Sequence, residues 1–202
     1  MNRLNNDSPF EDSRQQFAAG RFGMILFLVS IGMLFAATIL CYLFVRLNPD
    51  PTIPWRLPGE PGLPGLLAAS TVVLVVSSIT LWAAQAGIVH GTQTRWLATT
   101  LVLGLLFLLM QGVAWWQLYS EQVTITDGLF AWTFYVLTGL HALHVIGGIV
   151  PMAVVPRRSA RGMYSADHHD GITYCAMYWH FLDAVWIILY ATLWFGSLSG
   201  AA

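Results

Sequence analysis

Lysine is absent from this 202-residue chain, and charge of either sign is scarce: 9% of residues are charged and the net charge is −1. Without lysine there is no polybasic segment, and no basic stripe is present to follow a nucleic-acid backbone. Cysteine is almost missing too. Cys41 and Cys175 lie in separate apolar runs, which excludes a disulfide framework and a CxxC metal site and leaves packing as their expected role. The amino-terminal stretch Met1–Gly20 is polar and lacks the apolar centre of a cleavable signal peptide, so the first apolar run is expected to serve as its own insertion signal. GxSxG, GxxxxGK[ST], HExxH and a strand-to-helix GxGxxG are all lacking, so nothing marks a self-sufficient enzyme.

Apolar surface, by contrast, is in excess. Hydrophobic residues make up 56% of the chain and the mean hydropathy is +0.63, more than a water-soluble globule could cover. Five runs are long enough to cross a hydrocarbon core of roughly 30 Å: Phe22–Val45, Pro64–Gly87, Trp96–Leu118, Leu129–Val155 and Ile172–Ser197. None alternates with period two, which argues against a membrane β-barrel. The expected fold is an all-α integral membrane bundle of five transmembrane helices over residues 21–202, preceded by a cytoplasmic tail over residues 1–20.

The connection Leu47–Leu63 carries five of the nine prolines and reads as an extended extramembrane loop. Pro151 is expected to bend the fourth span. Small residues suited to close helix contact are Gly32, Ala36, Gly104, Gly139, Gly147 and Gly148. Seven arginines (Arg3, Arg14, Arg21, Arg95, Arg157, Arg158, Arg161) fall on one side of a five-span topology and two (Arg46, Arg56) on the other. The positive-inside rule then predicts a cytoplasmic amino terminus and an outside carboxyl terminus. Trp96, Trp115, Trp116 and Trp194, near run ends, suit interfacial anchoring.

Inside the spans, polar side chains stand out because they are expensive there. An aspartate at mid-helix costs about 2.5–3.5 kcal/mol on insertion scales. Asp183 nevertheless sits in Tyr178-Trp179-His180-Phe181-Leu182-Asp183, on the same helical face as His180. The fourth span holds a second pair, His141 and His144, and the third holds Gln111. Three readings stay open for the histidines: hydrogen bonds that fix helix packing, metal or haem ligation, and proton handling. Gln111 is expected to bond a neighbouring helix. Asp167-His168-His169-Asp170 could hold a metal, but adjacent rings seldom aim at one ion, so a solvated loop is the expectation.

Several segments, taken in order, resemble subunit III of the haem-copper cytochrome oxidases. They are Arg21-Phe22-Gly23-Met24-Ile25-Leu26-Phe27, Ser77-Ser78-Ile79-Thr80, Ile125-Thr126-Asp127-Gly128 and His141-Ala142-Leu143-His144-Val145-Ile146-Gly147-Gly148, followed by His168-His169-Asp170-Gly171, Tyr178 to Trp186, and Trp194-Phe195-Gly196-Ser197. The likeness runs from about Arg21 to Ser197 and is closest to the five-span bacterial form, which lacks the first two of seven helices. It implies an accessory subunit of an aa3-type cytochrome c oxidase in a bacterial cytoplasmic membrane. Such a subunit carries no haem or copper of its own. Its partners would be subunits I and II, which hold those centres, and phospholipid, with a respiratory supercomplex left open. Stabilising subunit I and sustaining proton uptake are the implied roles, with His141, His144, His180, Asp183 and Gln111 as a polar core or proton-related set. A quinol oxidase subunit III, a membrane haem b protein using His141 or His144 with His180, and a proton-coupled transporter using Asp183 are the rival readings. The chain departs from the family where glutamates are common: Ile31, Ala114 and Thr173 stand instead. That lowers the cost of burial and weakens any role for acids in the early spans.

Overall fold

The computed structural model describes residues 13–48, 55–56, 62–126, 128–164 and 169–198. Five helices make up almost all of it: α1 (Ser13–Leu47), α2 (Gly65–Ala86), α3 (Gln93–Ser120), α4 (Leu129–Ala160) and α5 (Asp170–Leu198). Each is long and apolar enough to cross a membrane, and no strand occurs among the described residues. The shortest, α2, has 22 residues, or about 33 Å of rise. An all-helical bundle is what hydrocarbon demands, since a helix satisfies its backbone groups within itself.

Helix ends extend past the apolar runs where good helix formers flank them. Ser13–Gly20 joins α1, and its exit is held by α5: the Tyr174 hydroxyl donates to the Phe17 carbonyl at 3.1 Å and the two rings stack at 5.9 Å. Helix α4 continues through Pro151 and Pro156 to Ala160. It stops at Gly162, whose φ of +71° favours glycine. There the Gly162 amide donates to Ser159 O and the Met163 amide to Arg158 O, a Schellman-type cap.

Consecutive helices pack against one another from α2 onward, and α5 also touches α1 and α2. Helix α1 makes no backbone approach to α2 or α3. Thus α5 is the hub, and α1 is attached through it and, more lightly, through α4. Glycine sets the closest contacts. A Cβ on Gly104 would stand 2.6 Å from Trp179 Cη2, and one on Gly148 would stand 2.7 Å from Tyr178 Cε1. Gly32 meets Phe181, Gly139 meets Trp115 and Gly147 meets the Tyr178 hydroxyl at ordinary contact distances. Ala36 differs from expectation: it is exposed, on the outward face of α1.

Two residues of the proline-rich connection tie three helix ends together. The Trp55 carbonyl accepts from the Phe130 amide at 3.0 Å, while Trp55 Nε1 donates to Gly196 O and Arg56 Nη1 to Ser197 O. Arg46 lies over the Trp55 ring at 4.9 Å, and Arg56 lies over Phe130 at 4.8 Å. Trailing carbonyls of α5, which have no partner inside their own helix, are thereby occupied.

Candidate functional site

The polar side chains inside the bundle converge on α2, whose hydroxyls receive donors from both neighbours. Gln111 Nε2 of α3 donates to Ser70 Oγ at 2.9 Å. Trp186 Nε1 and Trp179 Nε1 of α5 donate to Thr71 Oγ1 at 2.9 Å and Ser77 Oγ at 3.0 Å. Ser78 Oγ meets His180 Nδ1 at 2.6 Å, and Thr80 pairs with Thr100 of α3 at 2.9 Å. The spacing explains the geometry. Ser70-Thr71 and Ser77-Ser78 recur after seven residues, two turns of helix, so the pairs lie at successive depths, Ser70 toward α3 and Thr71, Ser77 and Ser78 toward α5. Such bonds are worth about 0.6–2 kcal/mol each in a bilayer.

This hydroxyl spine is what a reading centred on imidazoles and carboxylates misses. Only Ser77-Ser78 drew notice, as part of a resemblance. The readable signal was the doubled Ser/Thr repeat in an otherwise Val/Leu helix.

The five expected polar residues are placed differently from one another. Gln111 is buried and makes its interhelical bond, while its Oε1 has no partner. His180 bridges to α2 and keeps 36% of its side chain exposed. Asp183, one turn on, is 7% exposed; its Oδ2 lies 4.0 Å from His180 Nδ1, beyond hydrogen-bond reach, and neither oxygen is bonded. His144 is half-buried, directs Nδ1 to the Leu140 carbonyl of its own helix at 2.8 Å, and packs on Phe35. His141 is fully buried without a hydrogen bond at either ring nitrogen. Among the described residues, His141 and His144 therefore make no side-chain hydrogen bond to another helix. Helix α4 presents His141 to rings rather than hydroxyls: Phe35, Phe107 and Trp186 stand 6.1, 5.9 and 5.0 Å away.

An imidazole left unpaired in such a cage costs about 1–3 kcal/mol. His141→Phe is expected to recover part of that, raising the thermal midpoint of the solubilised protein. A lowered midpoint would contradict the reading of His141 as unpaired.

His141 packs against rings from α1, α3 and α5, whereas His180 turns to α2, so the two imidazoles do not face a shared site. Among the described residues no three His, Cys, Asp or Glu side chains group to hold a metal. Asp167 and His168 lie outside the described residues, as does Asp127. Of the three positions where the resemblance leads one to expect glutamate, Ala114 and Ile31 are buried and Thr173, half-buried, turns its hydroxyl to the His169 carbonyl. Trp115, expected at an interface, is half-buried and donates to Thr138 Oγ1 at 3.2 Å.

A groove of about 530 Å³ opens between α1, α4 and α5, lined by Phe27, Val150, Val154, Tyr174 and Tyr178, with Arg158 at one end.

Sequence comparison adds an independent finding. Residues 12–198 match the family described as cytochrome c oxidase subunit III. Similar proteins include cytochrome c oxidase subunit 3 of Gadus morhua, at 36% identity over 187 residues covering 88% of this chain and 70% of the relative. Those of Scyliorhinus canicula and Cyprinus carpio are 35% and 36% identical with the same coverage.

Proposed function

Because this chain belongs to the cytochrome c oxidase subunit III family, we propose that it is a non-catalytic scaffold on the subunits that hold the haems and copper. It is an accessory, multi-pass membrane subunit of a haem-copper oxidase. The observation that carries the reading is the family match across residues 12–198, nearly the whole bundle. In this reading subunits I and II are its partners, cytochrome c is the electron donor of the complex, and the chain helps sustain proton uptake. The names of the relatives favour cytochrome c over quinol. A bacterial cytoplasmic membrane is the proposed location, and the seven-to-two arginine asymmetry supports a cytoplasmic amino terminus. The test is affinity purification through a tag on this chain: haem-copper subunits should be recovered with it, and recovery of the chain alone would overturn the proposal.

Phospholipid is the proposed small-molecule partner. The α1/α4/α5 groove has apolar walls for acyl chains and a single guanidinium at its end for a phosphate. Arg158→Gln is expected to lower the phospholipid retained per purified complex, read by lipid mass spectrometry, while leaving the subunit composition intact. Unchanged lipid content would remove the groove from the account.

A further inference from the structure

Between α1 and α2, whose backbones do not approach each other, the outer face of α5 is left open as a trough. Its floor follows Met177, His180, Ala184, Ile187 and Ala191, spaced 3, 4, 3 and 4 residues apart, so they form one stripe along the helix. All five are half-buried or exposed. At the end near Arg46 the trough widens into a cavity of about 450 Å³ between α1 and α5, lined by Tyr42, Leu43, Ile187 and Ala191. The α2 side of the seam carries Val75 and Ser78.

One group in this trough is out of keeping with a lipid-facing surface. His180 lies four residues from the midpoint of α5, about 6 Å along the axis and well inside a hydrocarbon core. Its Nδ1 is committed to Ser78 Oγ, and its other nitrogen has no hydrogen-bond partner among the described residues. The remaining outward hydroxyls differ: Ser30, Thr99 and Thr192 each donate to the carbonyl four residues back in their own helix. Acyl chains cannot satisfy the imidazole edge, and leaving it bare in hydrocarbon is costly. Behind it, the buried Asp183 carboxylate adds polar character.

We propose that this trough is the seat of a transmembrane helix from another oxidase subunit, one that offers a hydrogen-bonding side chain to His180 near mid-membrane. The claim rests on the accessory-subunit reading and adds the face through which it operates. Ala184 sits at the floor one turn from His180, small enough to admit a neighbouring backbone closely. On α3 the outward mid-span side chains Val102, Leu105, Leu106, Leu109 and Val113 are aliphatic, as suits lipid.

The test uses the intact complex in native membranes. A benzophenone photo-crosslinking residue is placed at Ala184, with Val102 on the outward face of α3 as the control position. Irradiation at position 184 is expected to join this chain to another oxidase subunit, and irradiation at 102 to give lipid adducts. Adducts at 184 with lipid alone, or with a second copy of this chain, in complexes that still contain the haem-copper subunits would overturn the trough assignment and leave the accessory reading standing. Failure to co-purify with those subunits at all would overturn both. A second pair of variants reads the bond itself: His180→Leu is expected to weaken retention of the chain in the complex about tenfold, and His180→Gln, which keeps a donor and an acceptor, far less. Equal retention of both variants would contradict the role given to His180.

Discussion

Trp186→Ala is expected to destabilise the bundle by about 3 kcal/mol and to release the chain from its complex on mild detergent treatment. The indole is fully buried, meets Phe107 edge-on at 5.1 Å, lies 5.0 Å from His141 and donates to Thr71 on α2. In a bilayer the unfolded chain keeps its tryptophan in an apolar solvent, so the transfer part of the usual core penalty is absent. What remains is the cavity, about 24 cal/mol for each Å³ left unfilled, together with the lost bond to Thr71, whose hydroxyl keeps its own bond to the Leu67 carbonyl. Trp186→Phe reduces the first contribution. It keeps a ring beside Phe107 and His141, loses the bond to Thr71 and empties only the space of the second ring, so it should cost less, about 1–2 kcal/mol. Thermal denaturation of the two variants in the same detergent is the measurement, and equal midpoints would refute the packing argument.

Gly104→Val acts in the opposite sense, by overfilling. Even the first carbon of a side chain at this position would fall 2.6 Å from Trp179 Cη2 and 3.2 Å from Ile149 Cδ1. Trp179 has little room to yield. It is fully buried, bonded to Ser77, and close to Gly148 on its far side. Inserting extra carbons into a well-packed core ordinarily costs about 1–3 kcal/mol, and valine adds three of them. Here α2, α3, α4 and α5 all meet at that indole, so the upper end is expected, with separation of α3 from α5 and loss of assembled complex. Gly112 provides the control: a Cβ there meets nothing within 4 Å, and Gly112→Ala should leave the thermal midpoint unchanged or slightly raised. A Gly104→Val complex as stable as its parent would mean that the α3–α5 contact is not tight in the membrane.

Both variants test the same physical idea. Helices in lipid gain little from hiding apolar surface, so close fit and a few hydrogen bonds must hold them. The α2 hydroxyls and the glycines beneath Trp179 and Tyr178 supply both. His141 shows the other side of the balance, an unpaired polar ring retained amid aromatic neighbours.

How much of this could be read from the sequence depended on what each residue type reports. Run length, the absence of charge and the lack of period-two alternation located five membrane-crossing helices, because a helix of some twenty apolar residues traverses hydrocarbon with its backbone satisfied within itself. Hydropathy says nothing about polar helical extensions, so the added turns at Ser13–Gly20 and beyond Val155 were not apparent. Nor does it reveal facing. The hydrophobic stripe that orients a soluble helix is missing when lipid and protein interior are equally apolar. Gly104 and Ala36 looked alike as small residues, yet one lies under an indole and the other points outward. Gln111 and His180 meet hydroxyls of α2, whereas His141 meets rings of α1, α3 and α5. The difference lies in what the neighbouring helices offer at each depth.

The account stands most directly on where the redox centres travel. In the purified complex, detergent conditions that detach this chain can be followed by haem absorption, iron and copper per polypeptide. The chain alone is expected to show no Soret band and no stoichiometric metal, while the remaining subunits keep both and continue to reduce oxygen. A haem band or metal leaving with the detached chain in one-to-one amount would contradict the assignment.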